Sequence, residues 1–202
     1  MATDIDQLVL NLRGCYSFAD KSVCVAGAGE GQIIDLYRQA RAIAAVDSDP
    51  AALEALKQKL HGDPLLKRMR FYHEDFLVHR DHADVVVFEF SLHEMADPAA
   101  ALAYARTLAP DIVIFDHAPG SEWAWHTGEE EKIERSFTAL AAAGIRRRAD
   151  FHALQSFDNR SQLEERIKQQ GPEAIARALK FPQGEPVSIA MEYLCIQLSK
   201  GN

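Results

Sequence analysis

Short apolar runs alternate with helical stretches along the first 118 residues, and this alternation constrains the fold more than any other feature. The runs are KSVCVAGAG, RAIAAVDS, ADVVVFEFS and DIVIFDHA, with RMRFYHED as a less apolar member. The stretches between them, such as DPAALEALKQKLHG and DPAAALAYARTLAP, have helical periodicity. Short runs that are apolar throughout are typical of parallel strands covered on both faces. The order therefore predicts an open, doubly wound α/β sheet.

Two of the predicted helices carry clear start signals. Asp49 stands in the capping position with Pro50 directly after it, and Gly62 follows the last helical residue. Asp97 and Pro98 repeat the same start signal before the alanine-rich stretch. An aspartate side chain satisfies free backbone N–H groups at a helix start, and proline is tolerated at the first helical position. These signals fix the helix boundaries within the alternating pattern.

The last third of the chain has a different order of elements. A helix is predicted to end at Gly144, followed by a half-buried strand over 146–157, two short helices over 161–181 and a final strand over 187–199. No linker or internal repeat separates these elements from the rest. The prediction is one domain over 1–202, in which 1–20 is an N-terminal helical segment. The range 21–117 is expected to be a cofactor-binding half, and 118–202 a substrate-side half.

Charge and composition exclude several kinds of partner. The net charge is −8, and the only dense basic run is Arg146 to Arg148, so a nucleic-acid partner is not expected. No stretch approaches the roughly 18 apolar residues of a membrane helix, and no signal-peptide pattern opens the sequence. The three cysteines lie far apart and are expected to be core residues. We therefore expect a cytoplasmic protein without membrane contact, and a homodimer stays open.

A glycine-rich turn follows the first apolar run. Gly27, Gly29 and Gly31 alternate with other residues, and Asp47 ends the second run twenty residues after the first glycine. Glycines at a strand-to-helix turn let a ligand approach the backbone, and the N-terminus of a following helix attracts anions. A carboxylate at this spacing suits a ribose diol. The combination predicts a nucleoside-binding site.

The spacing of the glycines decides between nucleotide classes. A dinucleotide fingerprint needs glycine or alanine at position 32, where this chain has Gln32. A P-loop needs a Gly-Lys-Ser/Thr ending, and the turn has no lysine. An NAD(P)-dependent oxidoreductase therefore remains only as an alternative.

The GxGxG form resembles the first motif of class I S-adenosylmethionine-dependent methyltransferases of the small-molecule type. The segments AVDSDPAAL, HEDF and ADVVVFEFSLHEMADP are similar to the later motifs, in the same order. This resemblance implies a Rossmann-like methyltransferase fold, a mostly parallel seven-stranded sheet with an antiparallel last strand. It also implies S-adenosylmethionine as the cofactor. One departure is Val25, which stands where the family usually has an acid near the methionine end of the cofactor.

The resemblance assigns a set of cofactor-binding residues. Asp47 would bind the ribose, Asp75 the adenine amino group and Phe76 the adenine ring. The full set is Ala26, Gly27, Gly29, Gly31, Asp47, Ser48, Asp75, Phe76, Glu89 and Phe90.

The chemistry of the acceptor is expected beyond the fourth and fifth strands. Candidate catalytic residues are His93, Asp116 and His117, because strand ends collect binding groups and histidine titrates near neutrality. Candidate acceptor-binding residues are His93, His117, Trp123, Trp125 and His126, the tryptophans as an aromatic wall or lid. No spacing matches a metal motif, and no metal is expected.

The function predicted from the sequence is methyl transfer from S-adenosylmethionine to a small-molecule acceptor. A cofactor-binding module without catalysis, acting as a partner or regulatory subunit, is the main alternative from another class. The methyl acceptor atom, whether O, N, S or C, is left open.

Overall fold

The computed structural model describes residues 5–198, with side chains from residue 7 onward, and contains a seven-stranded mixed sheet. The residues before and after this range, which include parts of the predicted N-terminal segment and final strand, lie outside it. The strands are β1 (Ser22–Ala26), β2 (Ala42–Asp47), β3 (Met69–His73), β4 (Val85–Glu89), β5 (Asp111–His117), β6 (Ile145–Phe157) and β7 (Val187–Leu198).

The strand order is β3-β2-β1-β4-β5-β7-β6. The first five strands are parallel, while β7 lies between β5 and β6 and runs antiparallel to both. The predicted doubly wound sheet with an antiparallel last strand is confirmed. The chain order reverses between β1 and β4, and ligands of such sheets bind beyond the carboxyl ends of the strands at this point.

Seven α-helices accompany the sheet in the described range. They are α1 (Ile5–Arg13), α2 (Pro50–Lys59), α3 (Pro98–Leu108), α4 (Glu122–Thr127), α5 (Glu130–Ala143), α6 (Arg160–Ile167) and α7 (Pro172–Ala178). The predicted caps are present, because the side chain of Asp49 accepts from Ala51 N–H at 2.8 Å and that of Asp97 from Ala100 N–H at 3.0 Å. Both helices begin with proline at the position expected from the sequence.

The crossover after β1 differs from the prediction. Instead of an α-helix, one 3-10 turn covers Ile34–Tyr37. Ile33, Ile34, Leu36 and Tyr37 are all buried, and an α-helix cannot bury consecutive residues on one face. Burial of this apolar cluster therefore overrides helical periodicity, and the expected helix N-terminus beside the glycines is absent from the described chain.

Apolar side chains cover the sheet on both faces. Along β1, Val23 and Val25 belong to one buried layer while Cys24 and Ala26 belong to the other. Strands covered on both faces give the continuous apolar runs seen in the sequence. The three cysteines are free and buried, as predicted.

Candidate active site

The glycine turn after β1 is held against the end of β2. The N–H groups of Gly27 and Ala28 both donate to the carbonyl oxygen of Val46, at 2.9 and 3.1 Å. Gly27 and Gly31 have φ angles of 69° and 65°, in the left-handed region that favours glycine. A Cβ on Gly27 would stand 2.6 Å from Ser91 Cβ, and one on Gly31 only 2.4 Å from Leu56 Cδ1. The turn therefore packs closely against two neighbouring segments.

Asp47 lies at the carboxyl end of β2 and connects two loops. Its Oδ2 accepts from Gly29 N–H at 2.7 Å, and its Oδ1 accepts from Asp49 N–H at 2.8 Å. Each carboxylate oxygen has a further lone pair, so the half-buried side chain can still accept from a diol. A Cβ on Gly29 would meet no atom within 4 Å, so the space beside this carboxylate is open.

The segment after β3 places one predicted residue on the surface and the other in the core. Asp75 is exposed, and its side chain accepts from Leu77 N–H at 2.7 Å. Phe76 is buried, with edge-to-face contacts to Phe88 and Tyr104 at centroid distances of 5.3 and 5.7 Å. The prediction that Phe76 stacks on adenine is therefore wrong, because its ring completes the second apolar layer. Leu77 and Val78 are the exposed apolar side chains at this turn.

Of the other predicted cofactor residues, Ser48 lies on the surface and Ala26 in the core. Ser48 is exposed, and its carbonyl oxygen lies 3.2 Å from His73 Nε2. Ala26 is fully buried, and its carbonyl oxygen accepts from Ser91 Oγ at 2.6 Å. Val25 is also buried in the apolar core, where an acid would lack solvent.

Glu89 is a buried carboxyl at the end of β4. Its two oxygens accept from Ile33 N–H and from Tyr37 Oη–H, both at 3.0 Å. Burial raises the pKa of Glu89 to about 7, although these hydrogen bonds and the charge of Lys59 act in the opposite direction. The carboxyl holds the first crossover in place through both oxygens, and its part in cofactor binding stays a prediction.

A cavity of about 190 Å³ opens beyond the carboxyl ends of β4 and β5. Segments from both halves of the chain line it: Leu8, Gln32, Phe90, His93, Glu94, His117, Trp123, Thr127, Glu129, Gln155, Arg166, Gln170 and Met191. The cavity therefore joins the glycine-turn side of the sheet to the C-terminal elements.

Phe90 turns the chain from β4 into the cavity wall. Its φ angle is 50°, which is unusual for a large side chain, and its N–H donates to the Phe115 carbonyl oxygen at 2.6 Å. The ring lies beside His117 and Tyr193, at centroid distances of 5.1 and 6.4 Å. A residue held in a strained conformation at a cavity marks a place where the local geometry is fixed by its surroundings.

His93 and Asp116 form a buried hydrogen-bonded pair. His93 Nδ1 lies 2.5 Å from Asp116 Oδ1, and the backbone N–H of His93 donates to Asp116 Oδ2 at 3.1 Å. Burial lowers the pKa of His93, but the hydrogen bonds and charges of the surrounding carboxylates, Asp116 first, outweigh it and raise the pKa to about 10.

Asp116 itself is only 1% exposed and does not line the cavity. It also accepts from the N–H of His117 at 2.9 Å. The prediction that Asp116 is catalytic is corrected on this point, because its carboxylate touches only the loop and the imidazole. Asp116 is a positioning residue.

His117 and Glu129 stand beside His93 in the cavity wall. The His117 Nδ1 is buried and has no hydrogen-bond partner among the described residues. Burial lowers the pKa of His117 to about 4. Glu129 is buried, its Oε2 accepts from Thr127 Oγ–H at 2.8 Å, and burial raises its pKa.

The two tryptophans point in different directions. Trp123 lines the cavity and stacks on Phe157 at a centroid distance of 6.0 Å. Trp125 is 40% exposed, with Arg177 and Lys180 over its ring at 4.7 and 4.9 Å. The connection after β5 contains α4, and residues two apart on a helix do not share a face. Trp125 is therefore not part of an aromatic wall around the cavity.

His126 also lies away from the cavity. It is fully buried between Trp125 and Phe181, at centroid distances of 4.8 and 5.3 Å. Neither ring nitrogen has a hydrogen-bond partner in the described chain, and burial lowers the pKa of His126 to about 4. Its prediction as an acceptor-binding residue is not supported, because the helix turns its ring toward Phe181, in the segment after α7.

Several cavity residues were missed by the sequence analysis. Glu129 directly precedes α5 and its side chain faces inward, which the run of acids at this helix start does not reveal. Gln155, Arg166, Gln170 and Met191 come from the C-terminal elements, where no motif marks them. The alternation of buried and exposed residues along β6 and β7 is the sequence signal that could have placed Gln155 and Met191 at inward positions.

A family model matches the part of the chain that runs from β1 into β5. Residues 25–114 match the model described as "Methyltransferase domain". The matched range runs from β1 to β5 and includes the glycine turn, Asp47 and His93. A comparison with curated proteins gave no significant match. None of the described helices is long and apolar enough to cross a membrane.

Solved structures share the fold over almost the whole chain. A methyltransferase candidate from Bacillus halodurans has a TM-score of 0.68 and 12% identity, covering 98% of this chain and 99% of its own. The [4+2]-cyclase SpnF has a TM-score of 0.65 and 18% identity, covering 96% and 81%. Magnesium protoporphyrin IX methyltransferase from Synechocystis PCC 6803, solved with bound S-adenosylmethionine, has a TM-score of 0.53 and 16% identity, covering 94% and 77%.

These likenesses show the fold, and the family match shows the domain. The resemblance predicted from the sequence is confirmed to this extent: residues 25–114 match a methyltransferase domain, and the whole described sheet has the fold of these solved methyltransferase structures.

Proposed function

We propose that the protein transfers a methyl group from S-adenosylmethionine to a small polar acceptor bound in the cavity beyond β4 and β5. The observation that carries the proposal is the position of this cavity. Gln32 connects it to the glycine turn, while Phe90, His93, His117 and Glu129 line it beyond the strand ends. An acceptor there would lie beside a cofactor bound at the switch point of the sheet.

The residues around the glycine turn suit S-adenosylmethionine. Gly29 borders open space next to the Asp47 carboxylate, whose free lone pairs can accept both hydroxyls of a ribose. Exposed Asp75 can accept from an adenine amino group, and exposed Leu77 replaces Phe76 as apolar surface beside the base. When bound, the cofactor supplies an electrophilic methyl group on a positively charged sulfur.

The chain's part in the reaction is to position the acceptor and exclude water. Trp123, Met191 and Leu8 give the cavity apolar walls, and Gln155, Arg166 and Gln170 supply polar groups on the C-terminal side. His93, His117 and Glu129 hold the nucleophilic atom of the acceptor. The size and polarity of the cavity favour a small acceptor over a macromolecule.

The alternative functions differ in what they require of these residues. A dinucleotide oxidoreductase needs a small residue at position 32, whereas the side chain of Gln32 lines the cavity. A cofactor-binding module without catalysis needs no acceptor cavity beside the cofactor. The division into a cofactor half over 21–117 and a substrate half over 118–202 is part of the proposal, in which Gln32, Phe90 and His93 of the first half also line the acceptor cavity. A homodimer stays a prediction.

Calorimetry with S-adenosylmethionine, S-adenosylhomocysteine and NAD tests the cofactor assignment. We expect binding of the first two and not of NAD. Asp47→Ala should weaken cofactor binding by about 1.5–3 kcal/mol, or about 10- to 150-fold, because it removes hydrogen bonds to a charged group. Asp49→Ala is the matched control, since this neighbouring aspartate caps α2 and has no role in the proposed cofactor site. Equal losses in the two variants would contradict the role of Asp47.

Turnover distinguishes an enzyme from a silent binding module. We expect S-adenosylhomocysteine to form when the protein is incubated with S-adenosylmethionine and a panel of small hydroxyl-, amine- and thiol-bearing acceptors. Glu129→Gln should lower this turnover at least tenfold and leave cofactor affinity within about twofold, because Glu129 faces the acceptor side. Cofactor binding without turnover on any acceptor would favour the silent module.

A further inference from the structure

We propose that His93, His117 and Glu129 bind one divalent transition-metal ion, through which the cavity holds an oxygen or nitrogen donor of the acceptor. This inference rests on the proposed function, because it concerns how the same cavity holds the methyl acceptor. Metal binding itself can be measured without cofactor, acceptor or turnover.

The three side chains converge on one point of the cavity wall. One ligand atom from each lies within 4.8 Å of the ligand atoms of the other two. Ligands that surround a zinc ion at about 2.0–2.2 Å stand roughly 3.4 Å apart in tetrahedral geometry. Small side-chain rotations therefore bring the three atoms into a coordination sphere and leave its remaining positions facing the cavity.

Asp116 orients His93 in the way that metal-bound histidines are oriented. The contact of His93 Nδ1 with Asp116 Oδ1, at 2.5 Å, leaves Nε2 as the ring nitrogen on the other side, where a metal ion would replace the proton that faces Glu94 Oε1 at 3.4 Å. Histidines that bind metals almost always donate their other N–H to a carboxylate or carbonyl. The additional bond from the His93 backbone N–H to Asp116, at 3.1 Å, fixes the position of the loop as well.

His117 offers a nitrogen that the protein does not use. Its Nδ1 is buried and has no hydrogen-bond partner among residues 5–198. Leaving a buried polar atom without a partner costs free energy, and such atoms in folded proteins usually have an explanation. A metal ion bonded to His117 would provide the missing partner.

The charges around the three residues favour a cation. Asp116 and Glu129 are both buried, and Glu94 Oε1 lies 3.4 Å from His93 Nε2. Lys132 offsets part of this negative charge through its contact with Glu94 at 2.7 Å. The remaining carboxylates attract a cation.

The donor set indicates which metals would bind. Two imidazoles and one carboxylate suit zinc, iron, cobalt or nickel, whereas magnesium and calcium prefer oxygen ligands alone. The site also lies in a cavity with room for an exchangeable ligand, as catalytic metal sites require. A donor atom of the acceptor would take that open position.

Titration with Co²⁺ tests the site, because cobalt bound to histidine absorbs visible light. Chelator-treated protein should bind one Co²⁺ per chain, and Zn²⁺ should displace it. His117→Asn and Glu129→Gln should each weaken Co²⁺ binding at least tenfold. His152→Asn is the matched control, because this histidine is exposed and pairs with a carboxylate, Glu192, on β6 and β7 rather than in the cavity. The control should bind Co²⁺ like the wild type.

Two results would overturn the inference. One is the lack of stoichiometric Co²⁺ binding by the wild type, and the other is equal binding by the wild type and the two cavity variants. Circular dichroism verifies that each variant is folded; if one is not, the other decides. Failure of metal binding together with normal methyl transfer in the presence of a chelator would reject the metal site alone. Failure of S-adenosylmethionine binding in the calorimetric test would instead reject the proposed function.

Discussion

Glu89→Gln should remove a pH-dependent loss of stability. The carboxyl of Glu89 has a pKa near 4.5 in an unfolded chain and about 7 in the fold, because burial disfavours its ionised form. Between these two values the folded protein keeps the proton while the unfolded chain releases it. The folded state is therefore favoured at low pH, and its stability falls as the pH rises from 4.5 to 7.

The size of the effect follows from the raised pKa. One pH unit corresponds to about 1.4 kcal/mol when one proton separates the two states. The fall is about 3 kcal/mol over the full window and about 2.5 kcal/mol between pH 5 and pH 8, where the chain is easier to study. Glutamine has the same shape and can accept from Ile33 N–H, while its amide can donate to the hydroxyl oxygen of Tyr37. The variant should therefore keep the contacts and lose the proton.

Urea unfolding of both proteins at several pH values between 5 and 8 measures the difference. From pH 5 to pH 8, the free energy of unfolding of the wild type should fall by about 2.5 kcal/mol relative to that of Glu89→Gln. Tyr37→Phe provides a second variant, because it removes a hydrogen bond that favours the ionised carboxylate. In Tyr37→Phe, the pKa of Glu89 should rise further, so the free energy of unfolding should continue to fall at higher pH than in the wild type. Parallel pH profiles for the wild type and Glu89→Gln would refute the reasoning.

Two further predictions compare neighbouring positions. Gly27→Ala should destabilise the protein by about 1–3 kcal/mol more than Gly29→Ala in urea unfolding, because only Gly27→Ala places a Cβ against Ser91. Gly29→Ala should mainly weaken cofactor binding. Equal losses of stability in the two variants would contradict this prediction. Trp123→Ala should cost about 3–5 kcal/mol of stability and reduce turnover, because this side chain is buried. Trp125→Ala loses two cation–π contacts at an exposed ring, so it should cost about 1 kcal/mol and leave turnover unchanged. Similar turnover in both variants would show that Trp123 does not shape the acceptor site.

The architecture could be predicted from the sequence because its signals are local and repeated. Continuous apolar runs marked the buried strands, and Asp49 and Asp97 marked two helix starts. The spacing of Gly27, Gly29 and Gly31 placed the turn at the switch point. The prediction of an α-helix after that turn was wrong. Periodicity alone does not reveal that Ile33 and its apolar neighbours are buried on all sides of this segment.

The facing of individual site residues could not be predicted in the same way. A motif locates a residue near a strand end, but the direction of its side chain depends on the path of the loop. Phe76 and Leu77 are adjacent, yet the ring entered the core and the smaller side chain stayed exposed. The direction of Trp125 became clear only once the connection after β5 was seen to be helical. The place of Glu129 in the site depends on where α5 starts and on where His93 lies, and neither follows from the local sequence.

The insertion of β7 between β5 and β6 affects how the chain can fold during synthesis. β5 and β6 both leave the ribosome before β7, so their facing edges have no partner at that stage. The edge of β5 includes Ile114 and Phe115, which are fully buried in the finished sheet. Unpaired apolar edges template pairing with other chains. A nascent chain that stalls before Val187 is therefore expected to aggregate or to require a chaperone, although its cofactor-side strands are already complete.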